Sequence, residues 1–227
     1  MQTDSSAASQ AEKEDPGFCC KRNVLSLSCR VRDLVMNPRS VWGSILAEEC
    51  SVRDLYSKFV ALILCLPWVS WLIGKSFVGE HILFAGVVRW HFLRAFFAAL
   101  FLYAFSMLLI YILAWVAKGL AAALGLELSF LRSSQLVSYS LVPAMVGGLL
   151  LVVPGLELIW GLVSFYGAYL LFEGSASLCL IPADKRVPFF LGVFFSALIS
   201  FGMLGVLVAT FAPPIVPKIF ENAIGQV

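Results

Sequence analysis

Charge is scarce in this chain. Only 13% of its 227 residues are Asp, Glu, Lys or Arg, against 60% hydrophobic ones, and the mean hydropathy is +0.91. Soluble domains carry about 25% charged residues, so a water-soluble globular fold is excluded. A core cannot absorb this much apolar surface, and lipid must take the rest. Histidine is rarer still: His81 and His91 are the only two, with no clustered acid beyond Glu80. Neither G-x-S-x-G nor H-E-x-x-H occurs, and no glycine loop is placed to cradle phosphate, since Gly147-Gly148 lies inside an apolar run. No enzyme activity and no cofactor are expected. The six cysteines contain no C-x-x-C and no Cys/His pairing at zinc spacing, so no metal is expected either. Cys19-Cys20 before Lys21-Arg22 reads as plain reduced thiols in a tail, or as an acylation site beside a membrane. A cleavable signal peptide is missing, because the N-terminus is acidic and polar, and the first span is expected to act as its own insertion signal. A formal net charge of +2 names no partner, and no nucleic-acid partner is expected.

What the chain has is long apolar runs. Crossing about 30 Å of hydrocarbon takes about 20 apolar residues in a helix. Five spans are expected: residues 59–78 with Pro67 inside, a second bounded by Arg94 and Lys118, then 136–153, a fourth from after Glu157 to about 181, and a fifth between Pro188 and Pro213. The fold class is therefore all-α, a polytopic membrane bundle of five transmembrane helices preceded by a short juxtamembrane amphipathic helix. Residues 1–23 read as a disordered polar tail, 24–58 as the juxtamembrane amphipathic region, 59–212 as the five-helix transmembrane domain and 213–227 as a short C-terminal tail. In the amphipathic region Asn37-Pro38 is a helix start, and Val41, Trp42, Ile45 and Leu46 share one face suited to the membrane surface. Ser51-x-x-Asp54 has the form of a capping box. The linker 79–94 is too short to cross and is placed at the interface, with Trp90 and His91 at headgroup level.

Half of the Lys and Arg residues precede position 59. With an odd number of spans the termini lie on opposite sides, and the basic side holds the N-terminal tail, Lys118, Arg132, Lys185 and Arg186. The N-terminus is expected inside and the C-terminus outside. Spans three and four form a hairpin through Pro154-Gly155. At 1.5 Å per residue Glu173 and Pro143 come to lie about 12 and 10 Å from the inner end of their helices. Proline removes one helical N–H and frees the carbonyl of Tyr139. Glu173, Tyr139, Pro143, Ser138, Ser140, Ser175 and Ser177 thus form a candidate intramembrane polar site, with Tyr139 facing Glu173. A buried carboxylate is costly in a membrane, so Glu173 serves a lipid headgroup, a proton or a partner helix, or else is a structural acid satisfied by Tyr139 or Lys118. Asp184, Lys185 and Arg186 form a cytoplasmic exit motif.

Three stretches resemble the Yip-domain membrane proteins, particularly the short prokaryotic-type members: RDLVMNPRSVWGSI before span one, VSYSLVPAMVGGLLLVVP in span three, and YGAYLLFEGSASLCLIPADKR in span four. The resemblance runs from residue 30 to about 212. It implies a five-helix integral membrane protein with a cytosolic N-terminus, whose eukaryotic relatives act in early secretory membranes as adaptors for small Rab-type GTPases. The long cytosolic N-terminal region of such relatives is missing here, which counts against GTPase binding. It favours the bacterial inner membrane over early secretory membranes of a eukaryote. The expected function is non-enzymatic organisation of membrane partners or lipids, with membrane lipid and a homo-oligomer or membrane protein as partners. The alternative is a small-solute or lipid permease using the notch around Glu173.

Overall fold

The structure, a computed structural model, describes residues 31–34, 36, 38–47, 50–82 and 86–211. Both expected tails, Cys19, Cys20, Cys29, Asn37, Glu48 and Glu49 lie outside these residues. Pro38 opens helix α1 (Pro38–Ala47), at a position where its missing N–H has no intrahelical partner to lose. The sequence pattern lays the face of Val41, Trp42 and Ile45 on the membrane surface. The structure turns it into the bundle instead, and Trp42 and Ile45 have no exposure at all.

Helix α2 (Val52–Val78) follows. Ser51 takes the extended N-cap conformation, but its hydroxyl makes no cap bond, so the expected capping box does not form. Asp54 pairs with Lys58 one turn on, at 2.6 Å. Regular turns at Ala61–Ile73, with Pro67 inside, lie between two wider π-helical segments, Leu55–Val60 and Gly74–Val78. Gly79, at φ +83°, ends the helix in a conformation that side chains resist. In the linker the chain forms a small antiparallel hairpin, β1 (Glu80–Ile82) against β2 (Gly86–Val88), with His81 opposite Val87. Trp90 then returns to the protein: its N–H donates to the Lys75 carbonyl at 3.0 Å, and its ring packs edge-on to Trp71 at 5.1 Å. Of the two residues expected at headgroup level, Trp90 is buried in the bundle and His91 is exposed.

The remaining helices are α3 (Phe92–Ala123), α4 (Phe130–Val152), α5 (Glu157–Ser177) and α6 (Ala183–Phe211). Ser129 caps α4, accepting the N–H of Arg132 at 3.3 Å. The helix breaks at Leu141, just ahead of Pro143, and ends in a 3-10 stretch, Gly148–Val152. Pro154-Gly155 makes the expected tight return. Four helices, α2, α3, α4 and α6, are long and apolar enough to cross a membrane. Helix α5 has 21 residues and so rises about 31 Å, but its Gly, Ser, Tyr and Glu residues dilute its apolar character and it is not one of the four. The integral membrane helix bundle is established. The expected fifth crossing does not follow from length and composition.

Helices α2 and α4 meet where the Pro67 ring lies against Gly148, and a β-carbon at Gly148 would collide with the proline. Gly148→Ala should therefore lower stability by about 1–3 kcal/mol, the usual range for overpacking. Gly202→Ala should change it little, because a β-carbon there meets nothing within 4 Å. Thermal unfolding in detergent would separate the two.

Candidate functional site

The first half of α4, FLRSSQLVSYS, is too polar to face lipid, and every residue from Ser133 to Ser140 is buried. A helix covered on all sides needs neighbours all round, and α1 supplies one of them. Arg132 fixes that contact. One guanidinium nitrogen donates to the Ile45 carbonyl and to Gln135 Oε1, both at 3.2 Å, and the other to the Leu46 carbonyl at 2.7 Å. These carbonyls belong to the last turn of α1, which has no intrahelical donors left, and a cation there also complements the helix dipole. Trp42 of α1 then reaches between α4 and α5. Its ring meets Tyr139 edge-on at 6.3 Å, and a β-carbon at Gly174 would lie 2.7 Å from the indole and 2.6 Å from Leu136. Only glycine at 174 leaves room for this seat.

The predicted polar notch is therefore filled by an indole. Tyr139 is fully buried, its ring between Trp42 and Phe59, the latter at 4.6 Å. Gly174 lies opposite Leu136 and Gly167 against the Ser140 carbonyl. Gly174, the residue after Glu173, thus lies at the level of Leu136, one turn before Tyr139 on α4. Glu173 is half-buried, as is Ser177. Ser175 is buried and donates to the Phe172 carbonyl at 2.6 Å. Ser138 and Ser140 are buried on α4, and their hydroxyls, with Ser134 Oγ, Gln135 Nε2 and Trp42 Nε1, find no hydrogen-bond partner among the described residues. Lys118 lies over the Trp115 ring at 5.2 Å.

Asp184, Lys185 and Arg186 sit where α5 turns into α6. Lys185 donates to the Leu124 carbonyl at 2.8 Å and so closes the C-terminus of α3, across from Gly125. Arg186 donates to the Ile181 carbonyl at 3.4 Å and lies over the Phe172 ring at 5.8 Å. Asp184 is in the first turn of α6, where an acid complements the dipole. In the same turn region burial pushes the Cys179 thiol up to about 12, with Arg132 pulling weakly the other way, so it carries almost no thiolate at neutral pH. At the opposite end of the bundle the buried Lys75 ammonium meets Glu157 at 3.4 Å, and Glu157 also accepts the Gly155 N–H at 2.6 Å.

The family profile for the Yip1 domain matches residues 32–205. The chain belongs to the Yip1-domain family. No curated protein and no solved structure matches it. The match covers α1 through most of α6, so all the contacts just described fall within the Yip1 domain or at its edge. Sequence reasoning named the exit motif and the notch residues. It missed Arg132 as a cap and the pairing of Lys75 with Glu157, and it gave Trp42 to lipid. A signal for the ion pair was present, since the expected five-crossing topology puts both residues at the outer end of their apolar runs.

Arg132→Gln should cost about 1.5–3 kcal/mol, as for hydrogen bonds to a charged group, and should speed amide hydrogen exchange in α1 before other helices. Trp42→Ala should cost more, about 3–5 kcal/mol. Unchanged α1 exchange in both would refute the clamp. Cys179 should resist maleimide at pH 7 to 8 in the folded protein and react once it is unfolded.

Proposed function

We propose that this Yip1-domain protein is a non-enzymatic organiser of membrane partners or lipids. It would reside in a bacterial inner membrane, N-terminus cytoplasmic and C-terminus outside, with α5 as the fifth crossing. The observation that carries this reading is the use made of the polar groups at the α1 end. Arg132 and Lys185 bind carbonyls at helix C-termini, Arg186 binds that of Ile181 in the α5–α6 turn, and Trp42 fills the gap at Gly174. Such an end is a packed platform against which a partner can dock. Helices α5 and α6 present broad apolar faces, including Leu162, Phe165, Ile199 and Val206. Gly202, with open space above it, would let a helix of a second copy approach closely.

Capture of one stoichiometric protein partner, or a second copy, from detergent-solubilised native membranes is the expected result. Reconstituted vesicles should show no solute or lipid flux, and Glu173→Gln should leave partner capture intact. Flux that disappears with Glu173→Gln would replace this reading with a permease. For orientation, reporter fusions after Lys118 and Arg186 should read cytoplasmic and one after Val227 should not. Both termini on one side would exclude five crossings.

A further inference from the structure

Between α6 and the rest of the bundle lie two adjoining hollows that the reading above does not use. The larger, about 270 Å³, has walls from α2, α3, α4, α5 and α6, with Trp71, Leu109, Met145 and Leu204 among them. The second is about 220 Å³ and shares Leu113, Leu141, Trp160, Ala197 and Phe201 with the first. Trp160 and Phe201, ring centres 5.9 Å apart, stand at the junction. Along α6 the hollows run from Val193 to Val208, a rise of about 22 Å, or most of a hydrocarbon layer about 30 Å thick. Together they fall within the size of small-molecule sites, roughly 300–1,000 Å³. The shape is long and narrow.

The chemistry of the walls selects the occupant. Most of their polar side-chain atoms are engaged within the protein, Ser140 Oγ in the second hollow being the exception among the described residues. Trp68 Nε1 donates to Ser106 Oγ at 3.1 Å, and Ser106 donates onward to the Leu102 carbonyl at 2.7 Å. Trp160 Nε1 donates to the Ala144 carbonyl at 2.8 Å, and Ser200 to the Ser196 carbonyl at 2.9 Å. Walls of this kind hold neither water nor a polar solute, since such guests need two or more partners. One place differs. Lys75 and Glu157 face the larger hollow as an ion pair, with the Glu157 side chain 42% exposed. A fitting guest is therefore apolar along its length and polar at one end. Helix α6, which forms one wall, buries only Phe189 and Val193 of its 29 residues. Being apolar enough to cross a membrane, it has hydrocarbon on its other side.

We propose that these hollows form a binding site for one acyl chain of a bilayer phospholipid. The chain enters past α6, its ester end rests at Lys75 and Glu157, and its methyl end passes Trp160 and Phe201 toward Val193. Protein surrounds this chain on several sides, so it exchanges more slowly than the lipid that coats α5 and α6.

The test uses the full chain in nanodiscs of phosphatidylethanolamine and phosphatidylglycerol, doped with a phospholipid carrying a diazirine in its acyl chain. After photolysis, labelling mapped by mass spectrometry should be severalfold higher at Leu109, Phe201 and Leu204 than at the lipid-facing Ile199 and Val206. Ala197→Phe, which fills the junction, should lower the wall labelling severalfold and leave Ile199 and Val206 unchanged. Gly205→Leu should do the same for the larger hollow, where a β-carbon meets nothing within 4 Å. Equal labelling of wall and lipid-facing residues in the unmodified protein overturns the site whether or not the variants fold. Wall labelling that survives both folded variants overturns it too. Partner capture is read separately, so failure here leaves the organising role untouched and the reverse also holds.

Discussion

The burial of one polar helical stretch governs the α1 end of this molecule. Residues Ser133–Ser140 include four serines, a glutamine and a tyrosine, and all are buried. Hydrocarbon offers such groups no hydrogen bonds, so the stretch must be walled in by protein. Helices α2, α3 and α5 cannot close the wall alone, and α1 closes it. The Trp42 indole fits only because Gly174 lacks a side chain, and Arg132 fixes the depth by holding the last carbonyls of α1. An amphipathic helix that composition would lay on a lipid surface becomes part of the core for this reason.

Charge in the Yip1 domain follows a related economy. A cation inside or beside a membrane is expensive unless a strong acceptor is near. The free carbonyls at helix C-termini are ready-made acceptors with a favourable dipole. Arg132 takes those of α1 and Lys185 that of Leu124 after α3, while Arg186 binds the Ile181 carbonyl in the turn between α5 and α6. The exit motif is thus part of how three helices are joined. At the far end Lys75 finds a carboxylate, and that pair gives the apolar hollow beneath α6 its single polar wall.

Two ends with different chemistry result. One is tightly closed around aromatic and polar side chains, as befits a surface that other molecules recognise by shape. The other is loosely closed, because α6 meets the bundle through few buried residues. Partner organisation at the α1 end and chain binding beneath α6 can therefore reside in one molecule.

The apolar runs determined by themselves that this is a helical membrane protein. Pro154-Gly155 marked the return between α4 and α5, since it acts through its own backbone, whereas the third run read as one unbroken span and its break at Leu141 did not show. The three local stretches around Asn37-Pro38, Tyr139 and Asp184 also carried the family, because their spacing is contiguous. The apolarity of α5 left its crossing open, as its glycines, serines and acids weaken the signal that a neighbouring helix can compensate. Only the tertiary structure decided where Trp42 goes, what Arg132 holds and which acid Lys75 meets. These contacts join residues far apart in sequence: Arg132 and Ile45 are 87 positions apart, Lys75 and Glu157 are 82. Gly174 shows the limit most plainly. Rise per residue gives its depth, but not that the Trp42 indole, from far earlier in the chain, comes to lie against it.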